Sequence, residues 1–242
     1  MTVERPPLRD ALSTADAKRA YVRRLFSTIA DRYDLITVVL SYGQDRRWKD
    51  RLAARAGDVH GQTALDLACG TGDIAFRLAS RGARVVGLDI TPRMLELARR
   101  RPEASAHHVS FVAGDMTALP FPSRSFDIVS TGYGLRNVPV LSSALAEIAR
   151  VLKDGGLLVS HDFNRPANPA VRACYLTYLT VTGSILGWLL HRDPDTYRYI
   201  PESIRRYPGA AAVCDIARNA GLSSCAYIPV LGGLMAMHVA RK

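Results

Sequence analysis

Apolar positions along this chain change their spacing, and the changes mark out its elements. Tyr21, Val22, Leu25, Phe26 and Ile29 fall at helical spacing within residues 16–31, and a second helix is expected over Asp45–Ala56. Short apolar runs at Thr63–Ala68, Arg84–Asp89, Val109–Ala113, Phe126–Thr131 and Gly156–His161 then read as strands. Helical patterns separate them near Ile74–Ser80, Pro92–Arg101 and Val140–Leu152, with Pro92 at a first-turn position. Gly155-Gly156 is expected to end the last of these helices and open the fifth strand. Strict strand–helix alternation predicts an α/β fold with a parallel, doubly wound sheet. An insertion follows over about residues 164–207, then a helix over Pro208–Asn219. The strands Ser223–Pro229 and Leu234–Ala240, separated by Leu231-Gly-Gly233, predict a closing antiparallel hairpin. Residues 1–60 form an N-terminal helical cap, and residues 1–242 are expected as a single domain without linker or repeat.

Length and composition set bounds. The 242 residues, 48% hydrophobic and 22% charged, suit a globular chain with a sizeable core rather than a disordered one. A formal net charge of +10 raises nucleic acid and anionic membranes as partners. The basic residues are nearly all arginine, with lysine only at Lys18, Lys49, Lys153 and Lys242, and they are scattered among acids. That spread disfavours nucleic acid and leaves a solvated basic surface or a patch for anionic lipid headgroups. Cys69, Cys174, Cys214 and Cys225 show neither metal spacing nor a short disulfide framework, so no metal and a reducing cytoplasm are expected. Met1–Asp10 is polar, unlike a signal peptide. Ala173–Leu190 carries no charge and nears the lower length limit for a membrane span. Its threonines and glycines, with Arg172 and His191-Arg192 beside it, make it an amphipathic helix, buried or lipid-facing, rather than a span.

The chemistry concentrates where the strands end. Ala64-Leu-Asp-Leu-Ala-Cys-Gly-Thr-Gly-Asp73 followed by Val85-Val-Gly-Leu-Asp89 is a strand, a glycine turn, a helix and a second strand closing on an acid. Gly70, Thr71 and Gly72 let a ligand approach the backbone, and Asp89, with Ile90 after it, is placed to accept hydrogen bonds from a ribose diol. The turn fits the loose dinucleotide pattern G-x-G-x-x-A, but Asp66 and Asp73 would repel a diphosphate on the helix N-terminus. They suit a cofactor carrying an ammonium and a sulfonium, S-adenosyl-L-methionine. A nicotinamide dinucleotide, or glycines that only make a tight turn, are the alternatives. After the third strand, Asp115 can accept the adenine amino hydrogen and Met116 can contact the base, unless Asp115 is only a surface turn residue. After the fourth, Gly132 and Gly134 permit close approach, while Tyr133, Arg136 and Asn137 offer a hydroxyl, a forked cation and an amide. Arg136 could instead pair with Glu147. His161–Arg165 ends the fifth strand, and all these positions converge on one rim.

Longer stretches resemble a known family. Phe26-Ser-Thr-Ile-Ala-Asp-Arg-Tyr-Asp34, Leu40-Ser-Tyr-Gly43, Arg47-Trp-Lys49, Gly134-Leu-Arg-Asn-Val138 and Arg150-Val-Leu-Lys153 with Gly155-Gly156 are similar to signatures of the ubiquinone/menaquinone biosynthesis C-methyltransferases. So are Asp162-Phe-Asn-Arg-Pro166, Tyr197–Arg205 and Gly232–His238. The resemblance implies a Rossmann-like class I S-adenosylmethionine-dependent methyltransferase acting on a ring carbon of a polyprenylated benzoquinol or naphthoquinol, most simply demethylmenaquinol. The family usually has Met-Asn at Ile36-Thr37, His at Asp45, Pro at Asp154, Glu at Asp162 and Ser at Asn164. These departures are expected to cluster around the acceptor ring.

Under this resemblance Arg136 holds the developing phenolate, and Asn137 and Tyr133 orient the ring oxygen. A guanidinium is a poor base, so water ordered by Arg136 with a carboxylate or His161 takes the proton, although His161 could equally be an ordinary strand-end residue. Tyr33 and Trp48 wall the ring pocket, or are core aromatics of the cap. Asp162, Tyr197, Tyr199 and Arg205 complete the acceptor side. The apolar insertion offers a trough for a prenyl tail and transient contact with the inner face of the cell membrane by an otherwise cytoplasmic protein; a homodimer is compatible. The rivals are an O- or N-methyltransferase for another phenolic or lipid-like metabolite, an RNA methyltransferase, and a non-catalytic cofactor-binding protein. The RNA reading lacks a basic tract interleaved with aromatics.

Overall fold

The computed structural model describes Leu8, residues 12–41 and residues 43–242. Most of Met1–Asp10, and Tyr42 of the Leu40–Gly43 signature, lie outside the described residues. Among the described residues the sheet is preceded by the helices α1 (Ala15–Ile29), α2 (Tyr33–Leu40) and α3 (Asp45–Arg55). Next come β1 (Thr63–Leu67), α4 (Asp73–Ala79), β2 (Arg84–Asp89), α5 (Pro92–Arg100), α6 (Pro102–Ala106), β3 (Ser110–Ala113), β4 (Phe126–Gly132), α7 (Leu141–Val151) and β5 (Leu152–Phe163). The insertion holds α8 (Pro169–His191) and α9 (Tyr199–Arg206), and α10 (Ala210–Asn219), β6 (Ser224–Val230) and β7 (Met235–Arg241) close the chain.

The sheet order is β3-β2-β1-β4-β5-β7-β6. The first five strands are parallel, and β7 runs antiparallel to both β5 and β6. Side chains alternate across the sheet with period two. Ala64, Ile128 and Val159 meet Leu52, Ile74 and Leu78 of α3 and α4. Leu65, Val129 and Leu158 meet Leu145, Ile148 and Val213 of α7 and α10. Helices on both faces explain why the central strands read as continuous apolar runs. The order reverses between β1 and β4, so their carboxyl ends open a crevice at the switch point.

The Gly155-Gly156 pair does not separate helix from strand. The α7 helix stops at Val151 and β5 begins at once, with Phe126 paired to Leu152 and regular pairing resuming at Ile128 and Leu157. The glycines form a bulge inside β5, where Gly155 takes φ +78° and its N–H reaches the Lys242 carbonyl. Helices α2, α6 and α9 lack a clear signal in the sequence. The α2 segment is rich in β-branched residues, and it is helical because Ile36 and Leu40 bury against Leu186, Leu190 and Tyr197. Cys214 and Cys225, unpaired by spacing alone, are brought together as a disulfide by the α10–β6 turn, with Cα atoms 5.1 Å apart.

Asn164 ties the insertion to the body. Its Nδ2 donates to the Gly233 carbonyl at 2.9 Å and its Oδ1 accepts the Ala210 N–H at 2.9 Å. Removing both bonds in Asn164→Ala should lower stability by about 2 kcal/mol in urea unfolding and leave affinity for the ligand of the switch-point crevice nearly unchanged.

Candidate active site

The loop after β1 is shaped by residues in left-handed backbone, among them Gly70 at φ +53° and Gly72 at φ +89°. A Cβ on Gly72 would lie 2.6 Å from the Phe76 ring, so only glycine fits there. Asp89 joins this loop to β2: one oxygen accepts the Gly70 N–H at 2.9 Å and the other the Thr91 N–H at 2.8 Å. Asp66 is buried beneath, accepting the Ala75 N–H at 3.1 Å and the Ser130 hydroxyl at 2.7 Å. Burial pushes its carboxyl up to about 7 against those two donors. Thr71 donates to Asp34 of α2 at 2.8 Å, fastening the loop to the cap.

A cavity of about 670 Å³ opens above this loop, between α1, α2 and the strand ends. Gly70, Asp89, Ile90, Asp115, Met116 and Gly132 line it, and so does Asn137. Asp66, Thr71 and Gly72 do not; they brace and shape the loop. Asp73 faces the other way, bound to Lys49 at 2.8 Å and Arg101 at 2.6 Å. Burial opposes its ionisation, but these two cations hold it down at about 2. The acids at Asp66 and Asp73 therefore do not select the cofactor by charge at the cavity wall. Selection comes from what the wall holds. Among the described residues lining it, Arg19 is the only Arg or Lys, and Arg19 is bound to Asp115 at 2.6 Å. A pyrophosphate would find no free cation, whereas Asp89, the apolar Leu88, Met94 and Met116, and the unpartnered buried Oδ1 of Asn137 fit a sulfonium nucleoside.

A second cavity, of about 630 Å³, lies across a wall of three rings, Phe26, Tyr33 and Tyr133, which face both spaces. Trp48, Tyr197, Tyr199 and Arg136 line it, together with Ile36 and Leu40. Arg136 is 5% exposed. Its Nε donates to Asp162 Oδ1 at 3.2 Å, its backbone N–H to Asp162 Oδ2 at 3.0 Å, and its Nη1 to Ser203. The guanidinium also lies over the Phe163 ring at 5.0 Å. Nη2 has no hydrogen-bond partner among the described residues. The alternative pairing with Glu147 is excluded, because Glu147 holds Arg150 at 2.7 Å.

Several expected site residues sit elsewhere. Asp162 lines neither cavity; its oxygens accept from the Arg136 side chain, the Arg136 N–H and the Phe163 N–H. Asn137 lines the first cavity, not the second, and donates to the Tyr133 carbonyl at 2.7 Å. His161 lines neither; its ring is wedged against Trp48 and Tyr133 at centroid distances of 5.5 and 5.4 Å. Neither ring nitrogen makes a full hydrogen bond, and burial holds the imidazole down at about 3, hence neutral. Arg205 projects outward and pairs with Glu202 at 3.3 Å. Of the departures from the family pattern, Ile36 and Thr37 line the second cavity, while Asp154 is 70% exposed beside Arg124, remote from it.

Other participants carry no sequence signal. Lys18 of α1 donates to the carbonyls of Arg136 and Val138, pinning the cap to the loop after β4. Burial, then repulsion from Arg136 and Arg206, lowers its pKa to about 8. Ser203 of α9 and Arg19 of α1 are likewise contributed by elements distant in sequence.

A mostly parallel seven-stranded sheet with a nucleoside cavity at its switch point defines a class I S-adenosylmethionine-dependent methyltransferase. Solved structures agree on the fold: a SAM-dependent methyltransferase of Thermotoga maritima superposes with TM-score 0.65 at 17% identity, covering 91% of this chain and 99% of that one. Another from Aquifex aeolicus gives TM-score 0.57 at 16% identity, covering 80% and 88%. Residues 14–242 match the ubiE/COQ5 methyltransferase family, and the chain belongs to it. It is 41% identical over 217 residues to the demethylmenaquinone methyltransferase of Thermus thermophilus, covering 89% of this chain and 98% of that one. It is 36% identical over 230 residues to the ubiquinone/menaquinone biosynthesis C-methyltransferase UbiE of Hahella chejuensis, covering 93% and 92%.

The Lys49–Asp73–Arg101 cluster has a pH signature. An acid held at about 2 rather than 3.8 contributes stability that is complete above 3.8 and lost as pH falls through 2. Asp73→Asn should cost about 2 kcal/mol near neutral pH. In thermal melts its deficit should shrink as pH drops from about 5 towards 2.

Proposed function

We propose that this enzyme methylates a ring carbon of a polyprenylated naphthoquinol, converting a demethylmenaquinol to the menaquinol. The observation that carries this reading is Arg136, a buried cation opening into an apolar cavity that shares a ring wall with the cofactor cavity. The names of the relatives from Thermus thermophilus and Hahella chejuensis support the same acceptor class.

When bound, S-adenosylmethionine supplies a methyl group on a positively charged sulfur. Gly70, Asp89, Met116 and Asn137 would hold it, with Asp115 already bridged to the cap by Arg19. The acceptor ring would lie between Trp48, Tyr133 and Tyr199, its oxygen near the Nη2 of Arg136. A ring carbon becomes a strong nucleophile only as the adjacent hydroxyl loses its proton, and a fixed guanidinium stabilises the oxyanion that develops. Seclusion within rings excludes water and strengthens that interaction. Orientation across a shared wall supplies the rest.

The prenyl tail would leave along α2 and α8. Leu35, Val38 and Val39 of α2 and Val181, Ile185, Trp188 and Leu189 of α8 are all exposed, and Trp188 is 63% exposed. Both helices meet at the Ile36–Leu190 cluster beside the second cavity, and Arg32, His191 and Arg192 stand at the same end. This face would rest on the cytoplasmic leaflet and take the substrate from it. The α8 helix is long and apolar enough to cross a membrane, but Gly183 and Gly187 are packed against Tyr197 and Pro194.

Three experiments test this reading. Arg136→Lys keeps a cation for Asp162 but loses the planar fork, so kcat should fall about 100-fold with S-adenosylmethionine affinity nearly unchanged in calorimetry. The wild-type product from demethylmenaquinol should carry a ring methyl by NMR; an O-methyl signal would overturn the ring-carbon assignment. Ile185→Ser with Trp188→Ser should weaken sedimentation with anionic vesicles at least several-fold while sparing turnover of a short-chain quinol.

A further inference from the structure

We propose that Tyr133 and Asp45 form a relay that removes the proton from the acceptor's ring hydroxyl. The relay rests on the reading of the second cavity as the acceptor site, and it adds the base which that reading leaves unassigned. Tyr133 lines both cavities, and its hydroxyl donates to Asp45 Oδ1 at 3.0 Å. Asp45, at the first turn of α3, is 2% exposed. Its Oδ2 lies 2.6 Å from Lys49 Nζ, one helical turn on, and its backbone N–H donates to Ser41, which itself lines the acceptor cavity. On its far side Asp45 borders an open surface cleft with Asp34, Arg46 and Asp73. One carboxylate therefore stands between a cavity-facing phenol and solvent.

Each part has a defined task. The acceptor's O–H bond breaks and its proton passes to the Tyr133 oxygen as the Tyr133 proton passes to the Asp45 carboxylate. The electron pair left on the acceptor oxygen moves into the ring, whose carbon takes the methyl group, and the C–S pair stays on sulfur. Asp45 then returns its proton to water in the cleft. The ring carbon's own hydrogen leaves as a proton and the ring oxygen regains one, which restores the aromatic quinol. One proton is released per methyl transferred. Lys49 supplies the countercharge that keeps a buried carboxylate in place, and it is anchored in turn by Asp73 at 2.8 Å. The left-handed backbone of Tyr133, at φ +60°, turns the ring towards α3 and is held by the Tyr133 N–H bond to the His161 carbonyl at 2.7 Å.

Other groups near the ring are unsuited. Arg136 cannot accept a proton. Asp162 is engaged by the Arg136 side chain, the Arg136 N–H and the Phe163 N–H. His161 is turned to the sheet face that packs on α3. Tyr133 is the phenol at the wall between the two cavities with a carboxylate behind it. Burial, with the Asp45 charge, keeps that phenol protonated, so it passes a proton on rather than storing an anion.

The decisive variants are Asp45→Asn and Tyr133→Phe, assayed on demethylmenaquinol. Each should lower kcat about 100-fold or more with KM and S-adenosylmethionine affinity changed less than about threefold. Asp45→Asn should also abolish the acidic limb of the kcat–pH profile. Asp45→His, which keeps a proton acceptor, should recover much of the rate with that limb moved towards neutral pH. A second readout needs no cofactor: the Asp45 charge, transmitted through Tyr133, should hold the hydroxyl pKa of bound 1-naphthol, read by absorbance, higher on wild type than on Asp45→Asn, and equal values would count against the relay. Full kcat and an unchanged pH profile in Asp45→Asn, with wild type active, would overturn the relay. If Asp45→Asn does not fold by thermal melt, Tyr133→Phe decides the same question without touching the ion pair. If wild type leaves the quinol unmethylated, the acceptor assignment has failed, and the naphthol titration alone decides the relay.

Discussion

A guanidinium buried at Arg136 would be ruinously costly without a partner, and most of the site's geometry answers that constraint. Asp162 meets it twice, through the side chain and through the backbone N–H, so the start of the turn after β4 is clamped to the end of β5. Ser203 extends the clamp to α9 and Lys18 extends it to α1. Three elements far apart in the chain thus converge on one loop. The three rings that divide the two cavities hold their places because Tyr133 belongs to that loop, while Phe26 and Tyr33 belong to the cap that Lys18 fastens over it.

The sheet could be read from the residues because its physics is local. Strands covered on both faces must be apolar throughout, and strict alternation with helices leaves few ways to arrange them. The rim could be read for the same reason: in a parallel sheet every loop after a strand lies on one side. What such reasoning cannot give is the direction of a side chain. Asp66, Thr71 and Gly72 stand in the right loop, yet they serve its shape. Asp73 directly follows Gly72, but it already belongs to α4, whose first turn carries it outward to Lys49 and Arg101.

The place of His161 follows from the strand's own periodicity. Period-two alternation puts it on the same sheet face as Leu157 and Val159, which pack against α3 and α4. It could not have joined Arg136 above the rim. Asp45 and Lys49 were visible as an i, i+4 pair on one helix. Their link to Tyr133 was not, since it spans 88 residues and depends on a left-handed turn. Arg19, Lys18 and Ser203 carry no motif, and only the packing of α1 and α9 over the sheet assigns them a task.

The ring wall between the cavities has an electrical consequence. Before reaction the bound cofactor would carry a net charge of one beside a neutral ring; afterwards neither bound molecule would carry a net charge, one proton having gone to solvent. A sulfonium would be drawn towards the phenolate that develops on the acceptor in such poorly screening surroundings, and that attraction would vanish once the methyl has been transferred. The seal that assembles the reactants loses its grip on the spent pair, so turnover itself discharges the compartment.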